Sequence, residues 1–235
     1  MIERPDHFCY LVLHLTMLNI LIFVILFAAA CSFGPGNIQS RHSTDLTQRK
    51  IKRIAVLPPQ ISMAEQKRPS LGMPPPQESK SSEREAPEML AKLVYSAMAP
   101  MTNWQVVGAS EVRDVAQTVG GSTEAARIKS IGEMVYADAV MIGRIQRYRE
   151  RVGEEWGAKS PASVAFILNL VDVRRGDIIW SARFDETQKP LSENIFALGD
   201  IKERGVRWLT AEQLAAEGVR KAIGQLHQAL FRNPA

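Results

Sequence analysis

The chain reads as a single α/β (α+β) domain, a mixed sheet with an antiparallel meander packed by helices. Three patterns predict it. Arg53-Ile54-Ala55-Val56-Leu57-Pro58-Pro59 is a short β-branched run stopped by prolines, the mark of a buried strand. Three longer β-rich runs follow within residues 139–184, with a turn signal between the last two. Apolar residues recur at helical spacing in 86–99 and again in 210–230. With 46% hydrophobic and 23% charged residues in 235, the composition is that of a globular chain rather than a disordered one.

In chain order, residues 60–85 carry Pro69, Pro74, Pro75 and Pro76 among polar residues and read as a long Pro-rich loop. Such a loop is either functional and mobile or an unconstrained surface insertion. Met89, Leu90, Leu93, Val94, Ala97 and Met98 fall on one helical face, so 86–99 is an amphipathic helix that Pro100 helps to end. Trp104-Gln105-Val106-Val107 is a short strand. Ser110 is placed to cap a helix through about Val119, which Gly120-Gly121 stops, and a further helix covers 123–135.

A strand then runs from Ala139 to about Arg151, and Gly153–Pro161 is a loop. A second strand covers 164–173, Arg174-Arg175-Gly176-Asp177 is a hairpin turn, and 178–184 is the returning strand. Residues 187–207 are mixed, with a short helix near 192–197. Thr210 and Gln213 can form a capping box, after which Leu214, Val219, Ile223, Leu226 and Leu230 make a long apolar stripe. The order is β-α-β-α-α-β-β-β-α, with no internal repeat.

The amino terminus carries an address. Tyr10 to Ala30 is an apolar run without a charge, for which an export signal and an uncleaved membrane anchor compete. Phe27-Ala28-Ala29-Ala30-Cys31 resembles the bacterial lipobox, which implies that residues 1–30 are a lipoprotein signal peptide and that Cys31 is lipidated. Both readings carry the rest of the chain across the inner membrane. Ser32 stands where an Asp would favour inner-membrane retention, so the resemblance implies an outer-membrane anchor with the domain in the periplasm. Residues 31–50 then read as the lipidated cysteine and a flexible polar tether, and 51–235 as the periplasmic domain. That tether would reach at most roughly 65 Å extended.

Two cysteines, Cys9 and Cys31, leave no disulfide scaffold and no cysteine-based zinc site in the folded body. Removal of 1–30 leaves 28 basic and 23 acidic side chains, a modest +5 that lacks the strong basic excess of a nucleic-acid binder. It fits a mixed solvated surface, or attraction to peptidoglycan carboxylates or anionic headgroups.

Together, Ile54-Ala55-Val56-Leu57-Pro58-Pro59, Tyr136-Ala137-Asp138-Ala139-Val140-Met141-Ile142-Gly143 and Val171-Asp172-Val173-Arg174-Arg175-Gly176-Asp177-Ile178-Ile179-Trp180 resemble one envelope family. It is the α/β domain of the TolB amino terminus, of lipoproteins that activate penicillin-binding proteins, and of CsgG-like lipoproteins. The resemblance covers roughly 51–230. Its motif positions, Asp138, Asp172, Gly176 and Trp180, encode fold: Asp138 caps the turn into its strand, Asp172 takes a polar hairpin position, Gly176 suits a turn needing positive φ, and Trp180 is a core or sheet-face aromatic. Propeller repeats and long amphipathic membrane hairpins do not follow, which excludes TolB itself and a curli-type pore.

No catalytic constellation stands out. His42 and His227 are the only histidines after residue 30, and neither lies in a nucleophilic-triad or metal-ligand pattern. The expectation is therefore a non-enzyme with no cofactor and no metal; an envelope hydrolase with a carboxylate pair is the minor alternative. Arg147, Arg149 and Arg151 share a strand face at period two, with Arg144 and Tyr148 opposite. Nearby Glu150, Glu154 and Glu155 offset that charge. The group is either a solvated strand end or a binding edge for an acidic partner or glycan. Glu186, Gln188 and Glu193 lie in a polar stretch that reads as a surface loop and a candidate partner site. The reading is an accessory or assembly factor that binds another envelope protein, with peptidoglycan or another anionic glycan as the alternative ligand.

Overall fold

The β-branched runs pair because each carries one wholly apolar face. Their pairing is seen in a computed structural model that describes residues 38–62, 77–155, 157–188 and 208–231. Cys31, Glu193, the helix expected near 192–197 and the stretch 63–76 lie outside those residues. The strands are β1 (Ile38–His42), β2 (Arg53–Val56), β3 (Gln60–Ile61), β4 (Gln105–Val106), β5 (Ala139–Arg149), β6 (Val152–Glu154), β7 (Gly157–Ser160), β8 (Ser163–Asp172) and β9 (Ile178–Thr187). The helices are α1 (Gln77–Met98), α2 (Ala109–Thr118), α3 (Glu124–Met134) and α4 (Ala211–Phe231), with a 3-10 turn at Leu46–Gln48.

One mixed sheet has the order β1-β9-β8-β5-β2-β4, and β3 pairs with β5 beyond β2. β2 lies parallel to β4 and β5, whereas β5, β8, β9 and β1 are successively antiparallel. The mixed α/β architecture and the antiparallel meander expected from the sequence are those observed. β6 and β7 form a separate hairpin where the sequence suggested only a loop.

α1 and α4 pack on one face of the sheet. There Ile54, Met141, Phe166, Leu168, Trp180 and Phe184 meet Leu90, Val94, Leu214, Val219 and Leu226 in the main core. α2 and α3 cover part of the other face, over Ala55, Val140, Val171 and Val173. Thr123 caps α3 by accepting from the Ala126 amide at 3.1 Å. At α4, Thr210 and Gln213 bond reciprocally at 2.9 and 3.1 Å. α1 begins nine residues before the expected start, and Pro87 sits inside it at the cost of one backbone hydrogen bond.

The expected tether needs correction. Ile38–His42 is an edge strand paired along its length with β9, from Ile38 opposite Phe184 to His42 opposite Trp180. Leu46 is fully buried and Arg49 nearly so. Arg49 holds the segment down: it donates to Asp172 at 2.8 Å, to Asp177 at 3.1 Å and to Asp45 at 2.9 Å. Burial pushes the Asp172 carboxyl up, but the hydrogen bonds from Arg49 and the Arg175 amide outweigh it and leave it below the ordinary carboxylate value. The hydrogen bonds that Arg49 donates to Asp177 and Asp172 in turn push its guanidinium above its usual value. Residues 38–50 of the expected tether therefore belong to the fold, and 32–37 lie outside the described residues.

The motif residues occupy structural posts. The Asp138 carboxylate accepts from the amides of Lys52 and Arg53, both at 2.8 Å, so it caps the neighbouring β2 rather than its own turn. Asp172 is buried in the Arg49 cluster and also accepts from the Arg175 amide at 3.0 Å. Gly176 has φ +75°, the left-handed conformation its turn requires. Trp180 is 1% exposed in the main core.

Candidate functional site: an open arginine face

Beyond the patch covered by α2 and α3, the second sheet face lies open among the described residues. Strand register sets out its rows. Arg144 neighbours Ile167, which neighbours Arg183 and then Gln39 of β1. In the next row Arg147 neighbours Ala165 and Asp185, and in the one after it Arg149 neighbours Ser163 and Thr187. On the other side of the Arg144 row, Ile142, Asn169, Ser181 and Arg41 form a further line. Arg41, Arg144, Arg149, Arg183 and Asp185 are exposed, while Ile167 and Asn169 are half-buried.

This face gathers cations that simple alternation keeps apart. The β5–β8 register shifts between Ile145 and Arg147, so Gln146 is the extra residue of a β-bulge. A bulge flips the side-chain alternation. Arg144 before it and Arg147 and Arg149 after it therefore share one face, whereas Tyr148 turns into the core. The expectation that Arg144 opposes Arg147 is corrected by that single inserted residue.

Internal carboxylates hold the guanidinium groups. Arg147 donates through Nε to Ser163 Oγ at 2.6 Å and through Nη2 to Asp185. Arg183 donates to the other oxygen of Asp185 at 3.2 Å. Arg144 reaches Glu124 at the start of α3. Burial pushes Asp185 up, but the bonds from Arg147 and Arg183 prevail and hold its carboxyl below the usual range, so it stays ionised. The side chains of Arg144 and Arg183 are 48% and 53% exposed, so solvent reaches both guanidinium groups. A pre-positioned guanidinium fork suits a carboxylate or another planar anion.

The other expected site residues lie elsewhere. Arg151 leaves the face and donates to the Trp208 carbonyl, near the entry to α4. Glu186 is not in a surface loop: it belongs to β9, is 7% exposed and points to the helix-covered face. Gln188 accepts from the Leu209 amide at 2.8 Å, which ties the end of β9 to the approach to α4. Arg41 and Arg183 carry no local signal in the sequence; the β5–β8–β9 pairing sets Arg183 in the row of Arg144, and the β9–β1 pairing sets Arg41 in the row beside it. His227 packs edge-on to Trp104, with ring centroids 5.5 Å apart, and its Nε2 lies 3.1 Å from Asn103 Oδ1. Among the described residues no group of His, Cys, Asp or Glu is arranged to hold a metal, and no helix is long and apolar enough to cross a membrane.

No protein-family model matches the chain, and no curated protein matches it. Several solved structures are similar to it. The PelC dodecamer from Paraburkholderia phytofirmans matches at 12% identity and a TM-score of 0.45, over 80% of this chain and 95% of that one. Lipoprotein GNA1162 from Neisseria meningitidis matches at 17% identity and a TM-score of 0.38, over 66% of this chain and 98% of that one. The LpoB C-terminal domain from Escherichia coli matches at 17% identity and a TM-score of 0.32, over 58% and 83%. At least one lipoprotein thus stands among the structures similar to this chain, at a likeness too low to argue what it binds.

Proposed function

We propose that this chain is a lipid-anchored, non-catalytic accessory protein of the bacterial envelope that binds an acidic surface of another envelope protein through its arginine face. The observation that carries the reading is the row Arg144–Ile167–Arg183, open to solvent and flanked by Arg147 clamped on Asp185. Fixed cations around a half-buried apolar centre favour a partner that brings carboxylates and a small apolar contact. The lipobox at Cys31 and the resemblance of the sheet motifs to envelope lipoproteins support the location, with the outer membrane as the anchor site.

Crosslinking and pull-down from native membranes test the reading, with a specific protein partner as the expected recovery. Sedimentation with purified sacculi separates the glycan alternative: co-sedimentation that disappears on reversal of Arg144 and Arg183 would replace a protein partner by peptidoglycan. Cys31→Ala should abolish lipid labelling; unchanged labelling would remove the anchor from the account.

A further inference from the structure

Met134, Tyr136 and Ile178 are large apolar side chains left 55%, 84% and 55% exposed, and all three lie at one end of the sheet. α3 ends there. The Tyr136 amide donates to the Glu133 carbonyl at 3.1 Å and the Ala137 amide to the Gly132 carbonyl at 2.8 Å. These paired bonds define a Schellman terminus, whose central residue is left-handed and is usually glycine. Here it is Tyr136, with φ +53°, the only non-glycine residue of positive φ among the described residues. A tyrosine in this conformation is strained, and the ring gains little packing within its own fold in return.

The surroundings give the patch a sign. The Val173 amide donates to the Asp138 carbonyl at 3.1 Å, which brings the 173–178 hairpin alongside residues 136–138. Lys52 and Arg174 are exposed on this end, and the Arg175 side chain is 67% exposed. The nearby carboxylates are engaged: Asp138 caps the Lys52 and Arg53 amides, Asp177 is held by Arg49, and Glu133 lies 3.9 Å from Lys129. An aromatic anchor with a cationic rim has the make-up of an interface hot spot.

We propose that this end of the sheet is a second docking surface, centred on Tyr136, for an acidic protein segment that lays an apolar residue against the ring. It goes beyond the arginine face and makes the domain a bridge between two protein contacts.

The experiment places a photoreactive phenylalanine at Met134 in the full chain and crosslinks it in native membranes. Tyr136→Gly and Lys52→Glu/Arg174→Glu are compared with the parent. The expected result is an adduct with a different protein, mapped to a segment of net negative charge. Its yield should fall about ten-fold or more in both variants, the equivalent of about 1.4 kcal/mol. Because glycine relieves the left-handed strain, Tyr136→Gly should melt at or above the parent temperature, so the loss is not misfolding. An adduct of equal yield in Tyr136→Gly, an adduct with a second copy of this chain or with lipid, or no adduct at all would overturn the proposal. A second photoreactive group at Ile167 reads the arginine face separately and should crosslink undiminished in Tyr136→Gly.

Discussion

Arg49 Nη1 donates to Asp172 Oδ2 at 2.8 Å across 123 positions of chain, and both side chains are almost wholly buried. The pair fastens the segment that follows β1 to the β8–β9 hairpin. Arg49→Met removes the cation and leaves the buried Asp172 carboxylate without its counter-charge, held only by backbone amides, which should cost about 3 kcal/mol. Urea unfolding measures it; a change below about 0.5 kcal/mol would mean that the pair does not hold β1 in place.

The same carboxylate sets an acid limit. Asp172 and Asp185 both have folded pKa values below the ordinary 3.8. A carboxylate depressed in the folded state contributes stability that is fully present above its unfolded pKa and is lost as pH falls through the folded one. The thermal midpoint should therefore hold between neutral pH and about pH 5 and drop below about pH 4. Asp172→Asn should start lower and lose less on acidification; parallel curves for the two proteins would contradict the assignment.

Two glycines of α4 should respond in opposite directions. A Cβ at Gly218 would lie 2.7 Å from Cγ and Cδ1 of Phe184, whose ring is fully buried and packs tilted by 31° against Phe166 at a centroid distance of 5.2 Å. Gly218→Ala should destabilise by about 1–3 kcal/mol despite alanine's better helix propensity. At Gly224 a Cβ meets nothing within 4 Å, so Gly224→Ala should stabilise by up to about 1 kcal/mol. Shifts of the same sign at both positions would place the helix wrongly against the sheet.

The core strands were legible because their signals are local. Ile54-Ala55-Val56 and the runs in β5, β8 and β9 are apolar enough to announce burial, and Gly176 marks the turn between the last two. β1 was not legible. Gln39, Ser40, Arg41 and His42 are all exposed, so the strand lacks a two-residue apolar alternation and exists through its pairing with β9 and the anchorage of Arg49. The arginine face was half legible: Arg147 and Arg149 follow from period two, but nothing in the sequence signals the bulge at Gln146 that brings Arg144 beside them. Arg183 and Arg41 join only across strands. Glu186 misled because its charge suggests solvent, whereas its register opposite Val164 sets it on the helix-covered face.

The arginine face is proposed to dock an acidic envelope protein. A photoreactive group at Ile167, at the centre of the face, reads that contact when crosslinked in native membranes with and without Arg144→Glu/Arg183→Glu. Reversal sets like charges against Glu124 and Asp185, so Arg144→Gln/Arg183→Gln, which only removes the two half-exposed cations, is compared and should keep the thermal midpoint close to that of the parent. The expected result is a discrete protein adduct in the parent, reduced about ten-fold or more by the double reversal. An adduct of undiminished yield in the reversed protein, or none in the parent, would contradict it.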